Sequence, residues 1–133
     1  MAETKRKGDL GVAMVMAEVM RRGYKVAMPV GEDWPFDIIV LRNGDLERVQ
    51  CKYTESDGEV VELPCRSANN WVSYKYTSAD IDWMAVYDKT TDACYFVPST
   101  ALGSGKALIS LRLTPAKNGQ TRGVRMATTY KEY

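Results

Sequence analysis

The stretch Trp34–Thr54, WPFDIIVLRNGDLERVQCKYT, admits few folds other than a β-hairpin. Asp37 to Leu41 is an apolar run rich in β-branched residues. Asn43-Gly44 is the dipeptide favoured in tight two-residue turns, where both central residues need φ > 0. Leu46 to Thr54 returns with alternating character: Val49, Cys51 and Tyr53 on one face, and Arg48, Gln50 and Lys52 on the other. Gln50 and Lys52 therefore project together, and the turn folds Asp37, at the start of the first strand, back towards them. A carboxylate, an amide oxygen and an ammonium are predicted to converge at one end of a small sheet. Oxygen donors suit Mg²⁺, and a lysine beside them suits phosphate chemistry.

The rest of the composition narrows the chemistry to that kind. The sequence contains no histidine, which removes the usual zinc sites, the histidine general bases and the Ser-His-Asp triad together. Cys51, Cys65 and Cys94 are isolated and odd in number, so no disulfide framework is expected. A length of 133 residues, 45% hydrophobic and 26% charged, is that of one ordinary domain with a real core, residues 1–133. No apolar run approaches the roughly 20 residues of a membrane helix. The N-terminus lacks the apolar segment of a signal peptide, so the expected location is the cytoplasm and no membrane partner is expected. A net charge of +1 neither demands nor excludes nucleic acid, for which a local basic patch is what counts.

Along the chain, Asp9–Arg22 is predicted to be a helix: Leu10, Ala13, Met14, Ala17 and Met20 recur at helical spacing. Asp9 suits its N-cap and Gly23 its left-handed stop. Asp9 is then either a capping residue or a further acid of the metal site. Before it, Lys5, Arg6 and Lys7 form either a solvated, frayed tail or a basic arm touching phosphates. Strands are expected at Tyr24–Pro29 and Gly58–Pro64, making a four-strand meander with the hairpin; Glu32 and Asp33, in the Val30–Pro35 loop before the hairpin, are either solvated turn residues or a metal ligand. Cys65–Thr77 interleaves Arg66, Trp71, Tyr74, Lys75 and Tyr76, as an ordinary loop or a nucleic-acid contact surface would. A short helix is expected to start at Ser78, with Asp80 and Asp82 in its first turn. Trp83–Tyr87 and Ala93–Val97 are strands apolar enough to be buried on both faces. Pro98–Gly103 reads as a helical turn and Leu108–Leu113 as a last strand or edge. Residues 115–125, with Lys117, Arg122 and Arg125 among glycines, are either a basic loop against DNA or a solvated turn.

The parts suggest a mechanism. Asp37 is the principal Mg²⁺ ligand, the Gln50 side-chain oxygen and the Cys51 backbone carbonyl are neutral ligands, and Lys52 orients the attacking water or neutralises charge on the phosphate. Because Gln50 is neutral, Asp9 is the first candidate for an additional acidic ligand.

These residues resemble the PD-(D/E)XK nuclease superfamily, and within it the small branch that includes cyanobacterial group I intron homing endonucleases. The resemblance is carried by Lys7-Gly8-Asp9-Leu10, Arg22-Gly23-Tyr24-Lys25-Val26, Pro35-Phe36-Asp37-Ile38-Ile39 and Val49-Gln50-Cys51-Lys52-Tyr53. Ile81-Asp82-Trp83, Val86-Tyr87 and Cys94-Tyr95-Phe96-Val97-Pro98 extend it over most of residues 7–113. It implies an α/β fold with the restriction-endonuclease-like αβββαβ core, a central mixed sheet flanked by helices. It also implies metal-dependent hydrolysis of double-stranded DNA, with Mg²⁺ or a substituting Mn²⁺, by a homo-oligomer, dimer or tetramer. Asp37, Gln50 and Lys52 carry over as the catalytic set, with Gln50 where most members hold an acid and where that branch holds glutamine. The sequence departs in two places. Phe36 is inserted into the Pro-Asp pair, and the helix acid of related resolvases falls near Val12, leaving Asp9, one turn earlier on a neighbouring face, as its replacement. The activities that follow are site-specific homing-type cleavage, resolvase-like or restriction-type cleavage, or DNA binding by a catalytically inactive assembly module.

Overall fold

The computed structural model of the protein describes residues 2–69 and 72–133. Its order is α1 (Ala2–Arg21), β1 (Lys25–Ala27), β2 (Ile38–Arg42), β3 (Asp45–Thr54), β4 (Val60–Pro64), β5 (Arg66–Asn69), β6 (Val72–Lys75), β7 (Trp83–Asp88), β8 (Ala93–Pro98) and β9 (Leu108–Arg112). Short 3₁₀ turns at Ser99–Leu102 and Ala127–Lys131 complete it.

Five strands make the central sheet, in the order β1-β2-β3-β7-β8. β1, β2 and β3 form an antiparallel meander, β7 joins β3 in parallel, and β8 closes the far edge antiparallel to β7. The Asn43-Gly44 turn is as its sequence requires, with φ of 54° and 85°, and it fixes the register Arg42↔Asp45 through Ile38↔Val49. β7 and β8 are buried along nearly their whole length, as two-sided apolar strands should be.

The two faces of the sheet are covered differently. On one, Val15 and Val19 of α1 pack on Ile38, Val40, Val49, Cys51, Ala85 and Phe96. Gly11 brings the helix against β3 so closely that an added Cβ would lie 3.0 Å from the Lys52 carbonyl oxygen. On the other face, Val61, Leu63, Ile109 and Leu111 of a two-stranded β4-β9 sheet pack on Met84, Val86 and Val97. The fourth predicted strand thus leaves the meander: Glu62 and Pro64 face outward while Val61 and Leu63 are buried, and β4 pairs with β9 as a second layer. Where the αβββαβ scheme calls for a second helix, this chain places β4 and the β5–β6 hairpin; α1 is the one α-helix among the described residues.

Two boundaries are corrected. Helix α1 begins at Ala2, so Asp9 lies mid-helix and caps nothing, and Lys5–Lys7 are helical residues instead of a frayed tail. Glu3 pairs with Arg6 and Lys5 with Asp9 along the first turns, supporting helix where apolar anchors are missing. Around Ser78 the chain makes a turn, not a helix: Asp80 accepts the Thr77 N–H at 2.9 Å and Asp82 turns instead to Arg48.

Candidate active site

β2 starts one residue too late to finish its ladder with β3, and the site is built in that gap. The Asp37 N–H donates to the Val49 carbonyl at 3.0 Å, the last backbone bond of the pair. In place of a further strand residue, the Asp37 carboxylate accepts the Cys51 N–H at 2.9 Å. A strand residue's N–H and C=O point to the same side. The Cys51 carbonyl is therefore directed into the same gap, and no backbone donor from outside the strand ladders reaches it among the described residues. The register sets Gln50 beside Asp37, and the alternation of β3 puts Gln50 and Lys52 on the face away from α1. All three are half-buried.

The ammonium of Lys52 is held by residues at the base of the β5–β6 hairpin. Its Nζ donates to the Arg66 carbonyl at 3.4 Å and lies 5.6 Å from the centre of the Tyr76 ring. Tyr76, only 5% exposed, sits at the base of the β5–β6 hairpin, its N–H donating to the Cys65 carbonyl at 3.2 Å. Burial raises the Asp37 pKa above its ordinary value; the Cys51 N–H and the Lys52 charge oppose the shift without cancelling it. Burial likewise lowers the pKa of Lys52, against the pull of Asp37. The two charges form no ion pair with each other or with any other described residue. A half-buried carboxylate whose pKa burial raises, beside an amide and a backbone carbonyl turned into the same gap, is a set of hard oxygen donors. Its chemistry fits a hard divalent cation.

The remaining sequence-based candidates separate cleanly. Asp9 is about 200° around the helix from Gly11, its side chain is 69% exposed, and it pairs with Lys5 at 3.5 Å. The structure does not bring it to Asp37. Val12 packs on the sheet instead, so no helix residue adds an acid to the gap. Among the described residues there is no group of three or more His, Cys, Asp or Glu side chains able to hold a metal. Lys7 pairs with Glu55 at 3.1 Å, and with Lys5 and Arg6 it lies on the helix side of the sheet, away from Lys52. Arg66 and Lys75 face each other in register, exposed, on the hairpin next to Lys52. Arg125 is half-buried near Cys65, together with Lys52 and with Lys106, which no sequence pattern singled out. Lys117 pairs with Glu59 at 3.8 Å, and Arg122 is exposed further along the same loop. Trp71 lies outside the described residues. The involvement of Tyr76 with Lys52 had no short-range signal: its partner is 24 residues away and meets it only once the β5–β6 hairpin folds against β3.

Comparison with known proteins gives this architecture a family. The chain belongs to the PD-(D/E)XK endonuclease family, whose model matches residues 2–133. Members of that family are nucleases and generally depend on divalent metal. A bacterial homing endonuclease of known structure, I-Ssp6803I, superposes with a TM-score of 0.71 at 24% identity, over 96% of this chain and 87% of that one. At that identity the likeness shows the shared fold. No curated protein sequence matches the chain.

Proposed function

We propose that the protein is a Mg²⁺-dependent, site-specific DNA endonuclease of the homing type, with Mn²⁺ able to replace Mg²⁺. The observation that carries this reading is the gap at the start of β2, where Asp37, Gln50 and the Cys51 carbonyl meet with Lys52 at hand and unpaired. Those three oxygens would hold the ion. When bound, it supplies positive charge at the scissile phosphate and acidifies water. Lys52 then orients the attacking water or neutralises the charge that builds on the phosphate, from a position fixed by Arg66 and Tyr76. The Cys51 N–H keeps the Asp37 carboxylate turned into the gap. Duplex DNA approaches over the face carrying Arg66, Lys75, Lys106 and Arg125, with Lys117 and Arg122 at its margin. Lys5, Arg6 and Lys7, on α1 at the helix side of the sheet, would meet phosphates from that side.

A homo-oligomer, dimer or tetramer, fits a small chain with Met28, Val30, Trp34 and Leu46 exposed at 52% or more; light scattering tests it. One observation favours a second reading, a DNA-binding module without activity: among the described residues no group of three or more acids gathers at Asp37, and Asp9 of α1 is turned away to Lys5.

The deciding experiment is cleavage of supercoiled plasmid and of a mixed-sequence DNA library with Mg²⁺ or Mn²⁺, comparing wild type with Lys52→Ala. Discrete fragments from wild type, at least about a hundredfold less cleavage by Lys52→Ala, and DNA binding within a few-fold in both support the nuclease. Binding without cleavage by either protein supports the inactive module.

A further inference from the structure

We propose that Tyr76 is a positioning residue for the reaction: its ring, together with the Arg66 carbonyl, is the cradle that holds the Lys52 ammonium in place for catalysis. The inference rests on the nuclease reading above and extends it to a residue that touches neither metal nor substrate.

Among the described residues Lys52 lacks an acidic partner. A lysine side chain has four freely rotating bonds, and an ammonium is strongly hydrated. To act on one phosphate it must be fixed, and fixing it next to a sheet removes water from it. Elsewhere in this protein half-buried cations are fixed by acids: Arg42 by Glu47 at 2.7 Å and Arg48 by Asp82 at 3.1 Å. An acid at Lys52 would neutralise the charge the phosphate needs. The contacts that replace it are uncharged. One is the Arg66 carbonyl at 3.4 Å, and the other is the Tyr76 ring, whose centre lies 5.6 Å from Nζ, inside the reach of a cation–π contact. A ring face attracts an ammonium without saturating its three N–H donors, so Lys52 stays positive and available.

Tyr76 is well placed for that duty because it cannot drift. It is 5% exposed, belongs to the core cluster between the two layers, and meets the Tyr74 ring edge-on at 5.8 Å. Backbone bonds tie its strand base to Cys65, and Cys65 in turn to Ala107 at 3.0 Å. Both halves of the cradle, the Arg66 carbonyl and the Tyr76 ring, thus come from the open base of one hairpin, the hairpin whose exposed Arg66 and Lys75 border the site.

A ring that acts through its π-face is tested by changing its electron density without changing its shape. Phenylalanine, then mono-, di- and trifluorophenylalanine, are placed at position 76, with Tyr76→Leu as the variant lacking a ring. Cleavage of the DNA that wild type cuts in the library screen is measured with Mn²⁺, and melting temperature is recorded for each protein. We expect Tyr76→Phe to stay within about twofold of wild type. Along the fluorinated series kcat should fall stepwise to about a tenth, with KM within about twofold and the melting temperature unchanged. Tyr76→Leu should fall at least as far. A flat series, or one that moves KM or melting temperature instead of kcat, overturns the role of Tyr76 while an active wild type and a dead Lys52→Ala leave the nuclease reading standing. An inactive wild type, or a fully active Lys52→Ala, overturns both.

Discussion

The two halves of β3 carry the same kinds of side chain and treat them in opposite ways. In the first half, Glu47 receives Arg42 at 2.7 and 3.1 Å, the Trp83 indole at 2.9 Å and the Tyr133 hydroxyl at 3.0 Å. Burial pushes its carboxyl up, and those donors outweigh it and hold the pKa below the ordinary value. Arg48 is spent just as fully, on Asp82 and on the carbonyls of Ser78 and Ala79. Towards the other end of the strand, Lys52 is left with a carbonyl and a ring, and Asp37, which reaches across to it from the start of β2, with one backbone N–H and a raised pKa. Where polar groups serve the fold, the structure neutralises them; at the start of β2 it leaves their capacity open. That contrast marks the candidate site better than the acidic hollow around Asp45, Glu47 and Asp82 does, where Glu47 and Asp82 are already paired with arginines.

The contrast can be broken most forcefully at Asp37. Asp37→Asn is expected to abolish cleavage and Mn²⁺ binding, the second read by titration calorimetry; unchanged Mn²⁺ affinity would remove Asp37 from the ligand set. The same variant has a signed effect on stability. Burial raises the folded pKa above the ordinary 3.8, so the protonated form is favoured by folding. That stability is complete below the unfolded pKa and is lost as pH rises through the folded one. The metal-free Asp37→Asn protein should therefore be more stable than wild type at pH near 7, with the gap closing below pH 3.8 in urea unfolding.

Glu47→Ala tests the other half. Leaving Arg42, Trp83 and Tyr133 without their acceptor should cost about 3 kcal/mol in chemical denaturation and leave cleavage by the folded fraction within about twofold. A large loss of activity with little loss of stability would erase the distinction between the halves. Gly11→Ala sharpens it from the helix side. The new methyl would meet the Lys52 carbonyl oxygen at 3.0 Å and the Tyr53 Cβ at 3.1 Å. Overpacking against backbone should outweigh the gain in helix propensity and destabilise by about 1–2 kcal/mol, with a severalfold fall in cleavage because Lys52 itself is pushed. The smallest effect belongs to Asp9→Ala. It removes one exposed i,i+4 ion pair, so stability should change by less than about 0.5 kcal/mol and cleavage by less than twofold. A tenfold loss of cleavage would restore Asp9 to the site.

Much of this was legible in one dimension. Asn43-Gly44 can form only a turn with positive φ, that turn imposes the register of β2 on β3, and a period of two then puts Gln50 and Lys52 on one face with Asp37 across from them. The two-sided burial of β7 and β8 follows as directly from their apolar runs. Local chemistry was a poorer guide to the start of α1, where Asp9 has the identity of a cap and Glu3, Lys5 and Arg6 carry the helix two turns further by pairing. Tyr76 likewise read as one of several aromatics in a polar loop, and its burial follows from the layer above it.

The sequence by itself determined the hairpin, and with it the meeting of carboxylate, amide and lysine, because turn type and strand alternation are properties of neighbouring residues. Only the tertiary structure decided what surrounds them. The departure of β4 to pair with β9, the outward turn of Asp9 and the cradle that Arg66 and Tyr76 make for Lys52 all depend on contacts between residues far apart in the chain. Such contacts are chosen by how the layers bury their apolar faces together, and no local pattern encodes that choice.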